Sequence, residues 1–200
     1  GDWSSDVCSS DLMRTGDAHN ARRLMEEFRV AQASSEEIGR LIGAAQRAST
    51  RIARASILAN LGRVRLQQGA YDKARQAYAK ACALDTTLAA AYNGLGVALT
   101  MLASYDDAEA SQRAALRIEP DMARAHAGLG LNALRQARAE DALIHYQHAV
   151  QLDPTLYDAH MKVGELLRGK RVYGAAADAY AAATRVVPES AEAYHWLGLC

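Results

Sequence analysis

Residues 89–122, AAAYNGLGVALTMLASYDDAEASQRAALRIEPDM, and residues 123–156, ARAHAGLGLNALRQARAEDALIHYQHAVQLDPTL, align end to end without a gap. Each carries a Leu-Gly pair (Leu95-Gly96, Leu129-Gly130), a central alanine (Ala108, Ala142) and a proline third from its end (Pro120, Pro154). The frame extends in both directions, because glycines 62, 96, 130, 164 and 198 recur every 34 residues. A fixed period of this length marks a stack of supersecondary units rather than one enclosed core. With Ala55, Ala89, Ala123, Tyr157 and Ala191 as first positions, the twentieth position is Ala74, Ala108, Ala142 and Ala176. The twenty-seventh is Ala81, Ala115, Ala149 and Ala183. The thirty-second is Pro120, Pro154 and Pro188, with Thr86 in the first unit, and the seventeenth is Tyr71, Tyr105 and Tyr173, with Ala139 the exception.

Each unit divides into two amphipathic helices, 55–68 and 72–84 in the first, joined by a turn at Gly69 too short for anything but antiparallel packing. Glycine at position eight and alanine at positions twenty and twenty-seven let the helix axes approach, and Tyr78, Tyr146 and Tyr180 at position twenty-four fill the space that remains. A lone hairpin cannot bury both apolar faces, so each stacks on the next. Asp72, Asp106 and Asp158 fall in first helical turns, where a carboxylate meets the positive end of the helix.

The composition agrees. Half of the residues are hydrophobic and much of that is alanine, while aromatics make up 6% and proline occurs three times, which suits helix packing better than a β-sandwich. The 23 basic and 23 acidic side chains cancel, leaving no global field for nucleic acid or an anionic membrane. Cys8, Cys82 and Cys200 are too scattered for a disulfide framework, and no CxxC pair offers metal spacing. No apolar run approaches the roughly 20 residues of a membrane span.

These repeated positions resemble the tetratricopeptide repeat (TPR) over Ala55 to Cys200. The resemblance implies an all-α fold, an α-solenoid wound as a right-handed superhelix of 34-residue helix-turn-helix units, at 55–88, 89–122, 123–156 and 157–190, with a further unit opening at 191–200. It also implies an interaction scaffold whose concave wall, built from first helices, holds a segment of a protein or peptide partner. Carried over position by position, that wall takes Arg63, Leu66 and Gln67 from the first unit and Asn93, Val97, Thr100 and Met101 from the second. The third gives Arg124, Leu131, Leu134 and Arg135, and the fourth Met161, Glu165 and Arg168. An apolar groove centred on Val97, Met101, Leu131, Leu134 and Met161 and edged by Arg63, Arg124, Arg135 and Arg168 is expected to accept an amphipathic helix or apolar peptide. The other reading of the same side chains is packing against a neighbouring turn of the superhelix. The family variant that clamps carboxylates needs asparagine at position nine, and none is present there; the variant with an asparagine ladder at position six is matched by Asn60 alone.

No enzyme activity, cofactor, metal or nucleic-acid site is expected. His126 and His160 share position four of adjacent units, where they could face one another, and His145 and His148 lie three apart, but no thiolate or carboxylate supports them as metal ligands. Glu140-Asp141 and Asp106-Asp107 open second helices as capping or solvated charges. No phosphate-cradling glycine loop occurs.

At the N-terminus, residues 1–12 (GDWSSDVCSSDL) resemble translated sequencing adapter and are read as non-native. Residues 13–54 have helical periodicity (Leu24, Phe28, Ile38, Leu41, Ile42, Ala45), with Ser34-Ser35-Glu36-Glu37 fitting a capping box, and are expected to form a further helical hairpin, a degenerate repeat or cap. The chain reads as a fragment. A stand-alone adaptor and the repeat arm of a larger glycosyltransferase or sulfotransferase are both open, to be separated by the full reading frame. The lack of an export signal favours the cytoplasm, with periplasm or envelope open because the natural start is not visible.

Overall fold

The computed structural model describes residues 18–200; the adapter-like residues 1–12 and the side chains of Leu24 and Phe28 lie outside the described residues. Among the described residues the chain is helical, without a strand. Helix α1 spans Ala18–Arg47, and four hairpins follow: α2 (Arg51–Gln67) with α3 (Tyr71–Leu84), α4 (Ala89–Met101) with α5 (Tyr105–Ile118), α6 (Ala123–Arg135) with α7 (Ala139–Leu152), and α8 (Tyr157–Gly169) with α9 (Tyr173–Val186). Helix α10 (Ala191–Gly198) opens a fifth unit.

The N-terminal region departs from the expected hairpin. Helix α1 runs unbroken for 30 residues straight through Ser34-Ser35-Glu36-Glu37, which therefore cap nothing. No proline interrupts it, and two serines in a helix interior cost only about 0.5 kcal/mol each. Its later half seats Ile38 and Leu41 against Leu58, Leu61, Val64 and Ala77, so a single helix packs on the first hairpin. Helix α2 also starts a turn before Ala55, because the Thr50 hydroxyl accepts the Ala53 N–H at 3.1 Å and caps it.

The stack is held by a series of small apolar clusters, each shared between neighbouring units. Units 1 and 2 join through Ala74, Tyr78, Ala81, Cys82, Ala91 and Ala98. Units 3 and 4 join through Tyr146, Leu143, Ala159 and Val163, and unit 4 meets α10 through Met161, Tyr180 and Ala193. The tyrosine at position twenty-four is a wedge: a Cβ on Gly62 would stand 2.8 Å from the Tyr78 ring, and one on Gly94, in the next unit, 2.3 Å. Both glycines are needed to admit the ring.

Unit 2 breaks this rule. Its position twenty-four is Gln112, fully buried between Gly96 and Gly128, and both side-chain amide atoms are buried without a partner. The cluster at that seam shrinks to Ala89, Ala115 and Ala125. Partial compensation comes from Asn132, whose buried amide donates to the Tyr105 carbonyl at 2.9 Å across the same seam.

Every hairpin bends at one residue of left-handed conformation. It is Gly69 in unit 1 (φ 71°), but Ala103 (61°), Ala137 (58°) and Arg171 (63°) in the others. The bend closes the first helix: in unit 2 the Ser104 N–H reaches back to the Leu99 carbonyl at 2.9 Å. Between units, the Asp85 carboxylate accepts the Thr87 N–H (2.9 Å) and hydroxyl (2.7 Å), and Asp153 does the same with Thr155, which lowers both aspartate pKa values.

Candidate functional site

Most of the residues assigned to the wall from the sequence are occupied by the fold itself. Thr100 is 1% exposed and its hydroxyl donates to the Gly96 carbonyl, so it does not reach a groove. Leu66 packs on the cluster of units 1 and 2, and Leu131 and Leu134 pack on that of units 3 and 4; Val97 is half-buried. Arg63 is 3.8 Å from Glu37 of α1 and donates to Gln67. Arg135 reaches the Met101 sulfur at 3.6 Å, one unit back, and Arg124 is exposed. Asn93 turns its carbonyl oxygen inward, where it is buried without a partner.

The fourth unit differs. Met161, Glu165 and Arg168 line a cavity of about 520 Å³ together with Tyr157, Asp158, Lys162, Tyr180, Glu192 and Trp196, within the roughly 300–1,000 Å³ range of ligand sites. Position six is glycine at the first two seams (Gly94, Gly128), which lets successive first helices approach closely, and Lys162 at the third; at the last seam it is the bulky Trp196. The space left beside the indole is the trough.

Arg168 is the polar centre of that trough. Its guanidinium carbon lies 4.4 Å from the Trp196 ring centroid, and its positive charge acts on the nearby Tyr180 hydroxyl. Its Nε is buried without a partner, and among the described residues no carboxylate pairs with it. Lys162 and Glu165 neutralise each other at 2.6 Å. Tyr157 hydrogen-bonds Ser190 at 2.6 Å, which ties the trough wall to the cap of α10. Burial raises the Tyr180 pKa, so its hydroxyl stays protonated near neutral pH.

The histidines are arranged otherwise than expected. His126 and His160 do not face one another: the His160 ring is 3.0 Å from the Pro154 carbonyl, and His126 lies against His148 (centroids 4.1 Å apart) and His145 (6.4 Å). Among the described residues no group of three His, Cys, Asp or Glu side chains is arranged to hold a metal, and no helix is long and apolar enough to cross a membrane. Cys82 is buried, and its thiol is pushed up to about 11.

A family model described as a TPR repeat matches residues 62–102, and one described as a tetratricopeptide repeat matches 102–156 and 162–200. This chain belongs to the tetratricopeptide-repeat family. Among solved TPR-type structures, Pseudomonas aeruginosa pilF is similar at 22% identity with a TM-score of 0.61, over 83% of this chain and 82% of that one. A MamA structure from Desulfovibrio magneticus RS-1 is similar at 20% identity and TM-score 0.55, over 92% and 94%. YrrB, described as a TPR protein with an unusual peptide-binding site, is 26% identical over 72% of this chain and 75% of that one, at TM-score 0.53. No curated protein sequence matches the chain. TPR folds are typically non-catalytic interaction modules, and this repeat array is in general terms a protein-interaction scaffold.

Proposed function

We propose that this TPR array holds a peptide segment of another protein, and that the segment lies in the trough between unit 4 and α10. One observation carries the reading: a cavity of ligand size, floored by Met161 and Tyr180 and walled by Trp196, in which a half-buried arginine is fixed in place without an anionic partner. Anchored aromatic and arginine side chains are the groups that most often dominate binding energy at interfaces. A structurally similar TPR protein described as having a peptide-binding site supports the same class of ligand. The apolar middle of the wall, with Leu131 and Leu134 engaged in packing, contributes rigidity to the site rather than contact.

A random peptide library displayed on phage and panned on the chain tests this. Enriched peptides are expected to bind Trp196→Ala at least tenfold more weakly than wild type, and to bind Ile144→Ser, an exposed change on α7, as wild type does. Equal binding to all three proteins removes the trough from consideration.

A further inference from the structure

We propose that the trough is charge-polarised and selects a zwitterionic segment, with a carboxylate at the Arg168 end and a basic side chain at the Asp158 and Glu192 end. This rests on the reading that the trough holds a partner segment. Asp158 is in the first turn of α8 and Arg168 in its last, ten residues on, which places their backbones about 15 Å apart along the axis. Glu192 occupies the first turn of α10, the same second position in the next unit, and lines the same cavity. The charges between the ends cancel, because Lys162 and Glu165 form their own ion pair.

The uncancelled charges are therefore a cation from the last turn of α8 and two anions from the first turns of α8 and α10. Among the described residues Arg168 is in no ion pair, and its Nε is buried and unpartnered, while stacking on Trp196 holds the guanidinium so that less freedom is lost when a carboxylate docks. Asp158 and Glu192 are exposed and, among the described residues, in no ion pair either. A peptide charged with one sign at both ends gains at one end of the trough and is repelled at the other, so the arrangement discriminates by repulsion as well as attraction. An extended chain advances about 3.3 Å per residue, so a lysine and a glutamate four residues apart span about 13 Å, and their side chains cover the rest.

Trp196 reports on the site directly once Trp3, the other tryptophan, is replaced by phenylalanine. The probes are three blocked peptides with serine between the charged positions: one lysine and one glutamate four residues apart, two lysines, or two glutamates. Titrated against indole emission, the lysine–glutamate peptide is expected to bind at least tenfold more tightly than either like-charged peptide. Arg168→Glu, with helicity checked by circular dichroism, is expected to lose that preference and favour the dilysine peptide at least tenfold. Arg168→Gln, nearly isosteric in its inner portion, is expected to lose the preference without acquiring the new one. Equal affinities for the three peptides, no emission change with any of them at millimolar concentration, or an unchanged preference in Arg168→Gln overturns the proposal. Library peptides that need Trp196 but lack paired opposite charges would leave the peptide-holding reading standing and remove only the polarity.

Discussion

Replacing Gln112 by tyrosine should stabilise the protein, although the substitution enlarges a fully buried side chain. The seam between units 1 and 2 supplies the template, since Gly62 and Gly94 flank Tyr78 as Gly96 and Gly128 flank Gln112. The room that glycine leaves is therefore present on both sides. The native amide has two buried atoms with no partner, and leaving a buried polar group unsatisfied costs about 1–3 kcal/mol. An aromatic ring adds about 1.5–3 kcal/mol of apolar burial, set against about 1–3 kcal/mol for imperfect seating. The tyrosine hydroxyl also gains an acceptor in the orphaned Asn93 oxygen, which stands 3.1 Å from the point where a Gly128 Cβ would be. A net gain of about 2 kcal/mol raises the melting temperature by roughly 4–8 °C in a chain of 200 residues. Thermal and urea melts measure it, and amide exchange in α5 and α6 should slow together. A melting temperature equal to or below wild type, with helicity retained, would show that Gln112 is satisfied in solution and that the seam is not weak.

The hairpin bends and the histidine cluster give two further outcomes. Ala103→Gly, Ala137→Gly and Arg171→Gly should each raise the urea midpoint, by about 1 kcal/mol in stability, because glycine bears no Cβ penalty at positive φ, and Gly69→Ala should lower it by a similar amount; lower midpoints for all three glycine variants would reject left-handed bends. Burial first, then the neighbouring imidazoles, hold His126 below its ordinary 6.5, and burial does the same to His145, against the opposing pull of Asp121, Asp141 and Glu109 and with Arg113 and Arg138 adding to the depression. The unfolded chain thus takes up protons at higher pH than the folded one, so stability is full above about pH 7 and falls as pH drops through 6.5 toward the folded values. Melts at pH 7.5 and 5.5 should show this fall, and His126→Tyr, the residue found at the same position as Tyr92 and Tyr194, should flatten it; parallel pH profiles for the two proteins would exclude the cluster as its origin.

The solenoid was legible because each unit restates the same spatial requirement. Small residues at positions eight, twenty and twenty-seven recur in all four units and a tyrosine wedge at twenty-four in three of them, with no insertion, and such repetition of one constraint outweighs any single propensity. The N-terminal helix was less legible, since a serine pair followed by two glutamates reads equally well as a helix start and as a tolerated interior, and only the docking of Ile38 on Leu61 and Val64 decides between them. The bends were half visible: Gly69 announces a left-handed residue, whereas Ala103, Ala137 and Arg171 adopt it under pressure from the helices on either side. The proposed trough lies at the last seam, whereas periodicity favours the middle of the wall. Periodicity identifies the stripe that faces inward but not which seams stand open, and the signal that could have located the trough was the change at position six from Gly94 and Gly128 to Lys162 and Trp196.

Because among the described residues every apolar cluster joins only neighbouring elements of the stack, a stretching force applied along it is carried by the seams one after another. Such a chain yields at its least cohesive joint. That joint is the one sealed by Ala89, Ala115 and Ala125 around an unsatisfied glutamine, so the molecule under tension parts into an N-terminal piece of α1 with two hairpins and a C-terminal piece that keeps the trough whole.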